Sequence, residues 1–288
     1  MTPALSWPII AAVLFAALLH ASWNALIMSG DDKALDTALI HVLGCVVGAA
    51  LVLAVGLPRR EALPWLAASI VIHVGYYVTL VGAYRHGELG FAYPLMRGTA
   101  PLLVALLSGR LIGEHVPLAA WVGVVGISAG VLAIGLTRSG RETGSRRHAL
   151  AYALTNAVII AAYTLVDGIG VRASGNALQY VGLLFLIDGL PYFAIVLWQR
   201  RAALAPAFGY MCGRWPVALL GACASLGAYG IALWAMTRAP VAAVAALRET
   251  SVLFAALIGV FMLKERFRLQ RAVGTGAIIA GVMALRLA

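Results

Sequence analysis

Residues 97–136 read RGTAPLLVALLSGRLIGEHVPLAAWVGVVGISAGVLAIGL, and residues 248–287 repeat them without a gap as RETSVLFAALIGVFMLKERFRLQRAVGTGAIIAGVMALRL. Fifteen of the forty aligned positions are identical, among them Arg97 and Arg248, so the chain contains a duplication. Both arginines fall inside strongly apolar segments, where a charged side chain is costly and is usually kept for a functional reason. The repeat therefore indicates both a symmetric fold and a candidate site.

The composition of the chain predicts an integral membrane protein. Of its 288 residues, 62% are hydrophobic and 11% are charged, which leaves too little polar surface to cover a soluble domain. The formal net charge is +10, but the basic residues lie between apolar runs rather than on one face, so we expect membrane flanks and no nucleic-acid partner. The three cysteines form no metal-binding or disulfide pattern, and we expect no metal and no cofactor.

Ten runs of about 20 apolar residues match the length that an α-helix needs to cross a membrane. The predicted spans are residues 7–27, 34–56, 64–84, 89–112, 117–136, 149–171, 177–198, 215–236, 240–263 and 269–287. The predicted division is a first repeat (1–136), a polar connecting loop (137–148) and a second repeat (149–288). Because each repeat has an odd number of spans, the second must enter the membrane from the opposite side. The sequence thus predicts an all-α integral membrane protein with ten transmembrane helices in two inverted five-helix repeats.

The repeated block resembles the EamA-type half of ten-helix drug/metabolite transporters. The elements that carry the resemblance are a helix ending in glutamate and a glycine-rich helix after it, namely Glu114 with Gly123, Gly126 and Gly130, and Glu265 with Gly274, Gly276 and Gly281. The stretch HASWN, residues 20–24, is similar to the opening helix of exporters in this superfamily, including those related to aromatic amino-acid exporters. The resemblance implies export of small metabolites by alternating access, without ATP, by a multi-pass protein of the bacterial inner (plasma) membrane.

Two arguments give opposite orientations in the membrane. Lysine and arginine number 13 in the odd-numbered loops and six in the even-numbered loops and termini together, which predicts that both termini lie outside the cytoplasm. Members of the resembled family are usually described with both termini inside it. The orientation stays open at this point.

Arg97 and Arg248 are the strongest candidates for a transport site. Each lies eight residues into its predicted span, about 12 Å deep and near the membrane midplane. Guanidinium groups offer paired donors that suit a carboxylate, so the pair favours a substrate with an anionic group. The alternative is that each arginine only ties helices together through carbonyl groups or a nearby acid.

Glu249 breaks the symmetry of the repeat, because its counterpart is Gly98. It could carry a proton or bind a substrate ammonium, or it could be an acid that an arginine neutralises. Neighbouring helical residues point about 100° apart, so Glu249 need not pair with Arg248. Its position beside Arg248 nevertheless predicts that Arg248→Ala impairs transport more than Arg97→Ala. Pro101 is aligned with Val252 in the repeat, so a helix kink at this position need not occur in both copies.

Histidine and aromatic side chains complete the predicted site, because their rings can stack on an aromatic substrate or hold an ammonium group. His20 shares a helix face with Asn24, and His73 shares one with Tyr77. For any single ring, interfacial anchoring or core packing is the alternative. The predicted substrate-binding residues are His20, Trp23, Asn24, His73, Tyr77, Tyr93, Arg97, Tyr163, Tyr229, Trp234, Arg248 and Glu249. Asp167 and Asp188 are further acids, placed either within the membrane or near helix ends.

The predicted function is secondary transport of a zwitterionic or carboxylate-bearing small molecule, with aromatic amino acids favoured. The alternative is an intramembrane enzyme acting on a lipid-linked or peptide substrate, with Ser128 and a histidine as its reactive groups. Residues 126–130 match the pattern GxSxG, but they lie inside a predicted helix with no strand before it. The spacings Gly44-x3-Gly48 and Gly126-x3-Gly130 instead predict close helix contacts. The chain has no GxxxxGK[ST] and no HExxH motif, so the sequence offers no basis for ATP hydrolysis or metalloprotease chemistry.

Overall fold

Eleven α-helices and one 3₁₀ turn build the part of the chain that this computed structural model describes, residues 5–86, 89–135, 146–263 and 269–288. The helices are α1 (Trp7–Met28), α2 (Lys33–Val55), α3 (Leu63–His86), α4 (Leu89–Leu111), α5 (Leu118–Gly135), α6 (Arg146–Ser174), α7 (Ala177–Gln199), α8 (Leu204–Met236), α9 (Val241–Arg248), α10 (Ser251–Leu263) and α11 (Leu269–Leu287). Across these four ranges no residue lies in a strand. The predicted all-α class is confirmed.

The helices are those of a membrane protein. Seven of the described segments are long and apolar enough to cross a membrane, and two shorter apolar helices lie at residues 118–134 and 272–287. Counting α9 and α10 as one crossing, the helices correspond to the ten predicted spans. We name the membrane face at which α1 begins the near face, and the face at which α1 ends the far face.

Reciprocal glycine contacts between α5 and α11 show how the repeats are related. A Cβ on Gly123 would lie 2.8 Å from the carbonyl oxygen of Gly281, and a Cβ on Gly281 would lie 2.8 Å from that of Gly123. Gly130 and Gly274 face each other in the same way, at 2.6 and 2.8 Å. The repeat aligns Gly123 with Gly274 and Gly130 with Gly281, so exchanging the copies converts each pair into the other, as a two-fold relation requires. Since the numbers rise along α5 as they fall along α11, the helices run antiparallel and the second repeat is inverted.

The other helix contacts follow the same exchange. α1 packs on α8 as α6 packs on α3, and α2 packs on α7. In the last of these contacts, a Cβ on Gly48 would lie 2.8 Å from the carbonyl oxygen of Gly182, so the predicted small-residue face mediates packing within the protein. The boundaries 1–136, 137–148 and 149–288 stay a prediction, because residues 136–145 lie outside the described residues.

The eighth span begins earlier than predicted, and the correction has an electrostatic cause. The predicted span starts at residue 215, whereas α8 starts at Leu204. The charge of Arg214 interrupts the apolar pattern, but in the fold its Nε donates to Oδ1 of Asp36 at 3.1 Å. The Tyr210 hydroxyl donates to the other oxygen of Asp36 at 2.9 Å. Asp36 is only 2% exposed, so these contacts satisfy a buried carboxylate that sequence periodicity does not reveal.

Glu114 joins the two repeats at the near face. Its carboxylate is 8% exposed, lies 2.5 Å from Nη2 of Arg172 and accepts from the backbone N–H of Val241 at 2.9 Å. Val241 is the first residue of α9, so the glutamate caps a helix whose N-terminus favours negative charge. Arg172 also donates from Nε to the carbonyl oxygen of Met236 at 2.8 Å. The counterpart of this glutamate, Glu265, lies outside the described residues.

We expect Glu114→Gln to lower the free energy of unfolding by about 1–2 kcal/mol, because the amide keeps an oxygen for Val241 but has no charge for Arg172. Denaturant titration of the detergent-solubilised protein measures this change. The matched control is Glu61→Gln, which alters an exposed acid in the 3₁₀ turn Arg60–Ala62. Equal losses in the two variants would show that the contact contributes nothing.

Candidate functional site

The ninth span is broken at its centre, which is a second correction to the sequence prediction. Residues 240–263 are predicted as one helix, but α9 ends at Arg248 and α10 begins at Ser251. The N–H groups of Glu249 and Thr250 bond carbonyl oxygens three residues back, at 3.0 and 3.1 Å. The Thr250 hydroxyl also donates to the carbonyl oxygen of Leu247 at 2.7 Å, replacing a backbone donor of a regular helix. Discontinuous helices of this kind form binding sites in many transporters.

The copy that carries the proline is the unbroken one. Pro94 and Pro101 both lie inside α4, which is assigned as one helix from Leu89 to Leu111. The break occurs instead in the second copy, which has Val252 at the position of Pro101. The two copies therefore differ, but the interruption lies at the Glu249–Thr250 link and not at a proline.

Arg97 and Glu249 form the central charged pair, between α4 and the helix break. Nε of Arg97 lies 2.7 Å from Oε2 of Glu249, and the two residues are 7% and 4% exposed. This contact is an ion pair rather than a well-aligned hydrogen bond, and Nη2 of the arginine is buried with no hydrogen-bond partner within the described chain. The pair therefore neutralises its charge while the Nη2 donor remains unused. Ser251 Oγ, at the start of α10, is likewise buried and without a partner there.

The partner of Glu249 is thus Arg97, from the other repeat, as its expected divergence from the neighbouring Arg248 allows. Arg248 lies at the last turn of α9, and its guanidinium carbon sits 4.9 Å from the centre of the Tyr229 ring. Arg248 makes this cation–π contact and is partly exposed. The two arginines of the repeat therefore have different surroundings, one ionic and one aromatic.

A small cavity opens beside these groups, between α4, α6 and the end of α9. Arg97, Arg248 and Glu249 line it together with Tyr163, whose ring stacks on that of His73 with centroids 4.4 Å apart. Four residues predicted from sequence therefore share one cavity, and a fifth packs behind it. Tyr93 lies within electrostatic range of Arg97 and Glu249.

Asp167 anchors the aromatic side of this site and lies within the membrane, not at a helix end. It is fully buried in α6, accepts from the Tyr180 hydroxyl at 2.8 Å, and accepts from the Tyr229 hydroxyl on its other oxygen. Tyr229 thus connects the buried acid to Arg248. The sequence signal for Asp167 was an acid inside an apolar run, but the two tyrosines that hold it are distant in sequence.

The predicted residues of α1 lie near the site, but their polar groups are partly used within the helix. His20 is within electrostatic range of both Arg97 and Arg248. Trp23 Nε1 donates to His20 Nδ1 at 3.4 Å, and Asn24 Nδ2 donates to the His20 carbonyl oxygen at 2.7 Å.

Trp234 is not brought to the central cavity. It lies at the end of α8 near the near face, where the guanidinium of Arg238 sits 5.0 Å from its ring centre. Its role as a site residue stays a prediction without a contact to the arginine pair.

A second polar cluster links α2, α3 and α7, and only two of its members carry a sequence prediction. The Tyr77 hydroxyl donates to Oδ2 of Asp188 at 3.2 Å and lies 3.0 Å from Nε2 of His41. The ring of Tyr192 completes the cluster, 5.2 Å from that of Tyr77. His41 and Tyr192 were missed; a lone histidine inside the second apolar span was the available signal.

The residues proposed for an intramembrane enzyme do not assemble a reactive centre. Ser128 Oγ is buried and has no hydrogen-bond partner in the described ranges, so no histidine activates it there. A Cβ on Gly126, in the same turn, would lie 3.2 Å from Cα of Gly281, which identifies the GxSxG stretch as helix packing. Within the described residues, no group of three or more histidine, cysteine or acidic side chains could hold a metal ion.

The two halves of the bundle differ in packing across the membrane. Towards the near face, the start of α1, the start of α7 and the end of α8 contribute fully buried side chains such as Val13, Tyr180 and Met236. Towards the far face, His41, Tyr77 and other polar side chains are partly exposed even though they contact one another. The near half of the bundle is therefore the more closely packed of the two.

Comparisons with known proteins agree with this architecture. Residues 147–287 match the EamA-like transporter family. A solved structure, described only as the crystal structure of a protein, is similar with a TM-score of 0.78 over 97% of this chain and 98% of the other, at 20% sequence identity. At that identity the likeness shows the fold alone. A search of the curated proteins found no match.

Proposed function

This chain belongs to the EamA-like transporter family and is a multi-pass membrane protein that transports small molecules; from that premise we propose that it is a secondary exporter of amino acids, with aromatic ones favoured. Its place of action in this proposal is the inner (plasma) membrane of a bacterium. Transport proceeds by alternating access around the cavity that Arg97, Arg248 and Glu249 line.

The unused hydrogen-bonding capacity of the buried pair carries the proposal. Nη2 of Arg97 is a buried donor without a hydrogen-bond partner in the described chain, and Oε2 of Glu249 has none there apart from its ion pair with Nε of Arg97. A buried polar atom without a partner is costly, so a ligand that supplies the missing partner gains that energy on binding. A zwitterion presents a carboxylate for the arginine and an ammonium for the glutamate. A purely cationic or purely anionic ligand satisfies only one side.

The surroundings of the pair support an aromatic substrate. Tyr163 lines the cavity, and its ring stacks on His73, while Tyr229 lies under Arg248. Offset and edge-to-face contacts with such rings contribute about 0.5–1.5 kcal/mol each beyond the burial of apolar area. An aromatic side chain therefore gains more here than a small aliphatic one.

The helix break and the near-face contacts support alternating access. The Glu249–Thr250 link separates α9 from α10, so the half-helices can change their relative orientation at the site. Glu114 holds the start of α9 to Arg172 at the near face. In the proposed cycle these contacts close the near face and separate when the cavity opens towards it.

We expect purified protein in liposomes to exchange radiolabelled L-phenylalanine by counterflow. Phenethylamine lacks the carboxylate and 3-phenylpropionate lacks the ammonium, so each should compete at least about tenfold more weakly than L-phenylalanine, a difference of about 1.4 kcal/mol. A parallel screen compares aromatic amino acids, small neutral amino acids, sugar phosphates and organic cations. A preference for organic cations, or equal competition by phenethylamine, would contradict the proposal. Ser128→Ala is the matched control and should exchange as the unaltered protein does.

A further inference from the structure

We propose that Asp188, with Tyr77 and His41, is a proton-binding site that couples transport to a pH gradient. The inference rests on the proposed transport function, but it concerns a different group of residues from the pair at the helix break. It assigns the proton, rather than the substrate, as the ligand of this cluster.

Asp188 is an incompletely satisfied acid in the middle of the membrane. It is the twelfth of the 23 residues of α7. The Tyr77 hydroxyl donates to Oδ2 at 3.2 Å, whereas Oδ1 is buried and has no partner within the described residues. In those residues no lysine or arginine lies within ion-pair distance of it, in contrast to Glu249, Glu114 and Asp36. An ionised carboxylate in such surroundings is costly, and a proton removes that cost by neutralising it.

The cluster offers a hydrogen-bonded route to Asp188. His41 Nε2 lies 3.0 Å from the Tyr77 hydroxyl, and His41 Nδ1 lies 2.8 Å from the carbonyl oxygen of Thr37. His41, Tyr77 and Asp188 are all partly exposed. A histidine can accept and release a proton at physiological pH, and the tyrosine hydroxyl can pass it on. The titratable groups that face the cluster are His41 and Cys45 on α2, His73, Tyr76 and Tyr77 on α3, and Tyr192 on α7.

Proton binding has a structural consequence because the Tyr77–Asp188 bond joins the two repeats. Tyr77 belongs to α3, which packs mainly on α6, and Asp188 belongs to α7, which packs mainly on α2. One proton from water converts the carboxylate to a carboxylic acid with Oδ1–H, and one negative charge is lost. The Tyr77 hydroxyl then donates to a neutral oxygen, which is a weaker bond than one to a carboxylate. Neutralisation thus loosens α3 against α7, and the same proton returns to water after the halves have rearranged.

The test separates exchange from gradient-driven accumulation. Liposomes holding the full-length protein are given a pH gradient of one unit in either direction, with the membrane potential clamped at zero. The probe is radiolabelled L-phenylalanine, or the amino acid that gives the strongest counterflow in the screen. With one proton per substrate, the unaltered protein should accumulate the probe about tenfold in one of the two directions.

Asp188→Asn should abolish this accumulation while keeping counterflow, because exchange needs no net proton movement. Asp31→Asn, an exposed acid in the α1–α2 turn, is the matched control and should accumulate the probe normally. Tyr77→Phe keeps the ring and should lower the pH response without loss of folding. It provides the test if the asparagine variant does not fold.

The possible outcomes are distinct. Accumulation that persists in Asp188→Asn, or a full pH response in Tyr77→Phe, overturns the proposal. Loss of counterflow in a folded Asp188→Asn variant also overturns it, since Asp188 would then bind the substrate ammonium. Counterflow without any pH response in the unaltered protein refutes proton coupling but leaves the proposed function standing, whereas absence of counterflow for every compound refutes the proposed function itself.

Discussion

Arg97→Ala should reduce counterflow of L-phenylalanine at least about 100-fold, equivalent to about 3 kcal/mol, because the variant loses the donors for the substrate carboxylate. It should also be less stable by about 3–5 kcal/mol, since it leaves the Glu249 carboxylate buried without its counter-charge. Both effects should exceed those of Arg248→Ala. Arg248 is partly exposed and contacts the Tyr229 ring, so its removal leaves no buried charge unpaired. The order is the reverse of the one that sequence adjacency predicts.

Two further variants separate binding from folding. Arg97→Lys keeps the positive charge beside Glu249 but loses the planar pair of donors, so stability should be largely retained while counterflow falls about tenfold. Arg97→Ala combined with Glu249→Ala should regain much of the stability and none of the transport. Normal transport by the lysine variant would show that Arg97 is a structural tie, and a larger loss from Arg248→Ala would contradict the assigned pairing.

Gly274→Ala should lower the free energy of unfolding by about 1–3 kcal/mol, because its Cβ would overlap the facing helix. That atom would lie 2.8 Å from the carbonyl oxygen of Gly130 and 2.6 Å from Cγ1 of Ile134. The carbonyl oxygen of Gly130 is a backbone atom, so it cannot move away without separating α5 from α11. Gly130→Ala should cost a similar amount, since a Cβ there would lie 2.6 Å from the carbonyl oxygen of Gly274.

The control for this prediction lies two residues away on the same helix. A Cβ on Gly276 would meet nothing within 4 Å, so Gly276→Ala should be neutral or stabilise by up to about 1 kcal/mol through helix propensity. Denaturant titration and thermal melting in detergent compare the three variants. If Gly274→Ala and Gly276→Ala behaved alike, the close crossing of α5 and α11 would be wrong.

Much of the fold was predictable because the relevant signals are local. Apolar runs of membrane length gave the helices, and the duplication with an odd number of spans gave the inversion that the glycine pairs confirm. Only the first of the two corrections involves residues that are far apart in the sequence. In the early part of α8, Tyr210 and Arg214 contact Asp36, which lies more than 170 residues away from both. The break in the ninth span depends on hydrogen bonds at Thr250 that an apolar pattern does not distinguish from a continuous helix.

The residues of the candidate site could be predicted one by one, but the contacts between them are set by the tertiary structure. A charge or a histidine inside an apolar run is visible in the sequence, so Arg97, Arg248 and Glu249 could be named. Their partners could not, because pairing depends on which helix faces are brought together.

The sequence by itself determined that this chain is an all-helical membrane protein made of two inverted copies, since hydrophobic length and repetition are properties of the chain alone. The tertiary structure decided that Glu249 pairs with Arg97, that Asp167 is held by two tyrosines, and that Asp188 keeps an oxygen without a partner in the described residues. Electrostatic and hydrogen-bonding contacts act over a few ångströms in space, whatever the separation along the chain. Only the packing of the helices brings those groups within that distance.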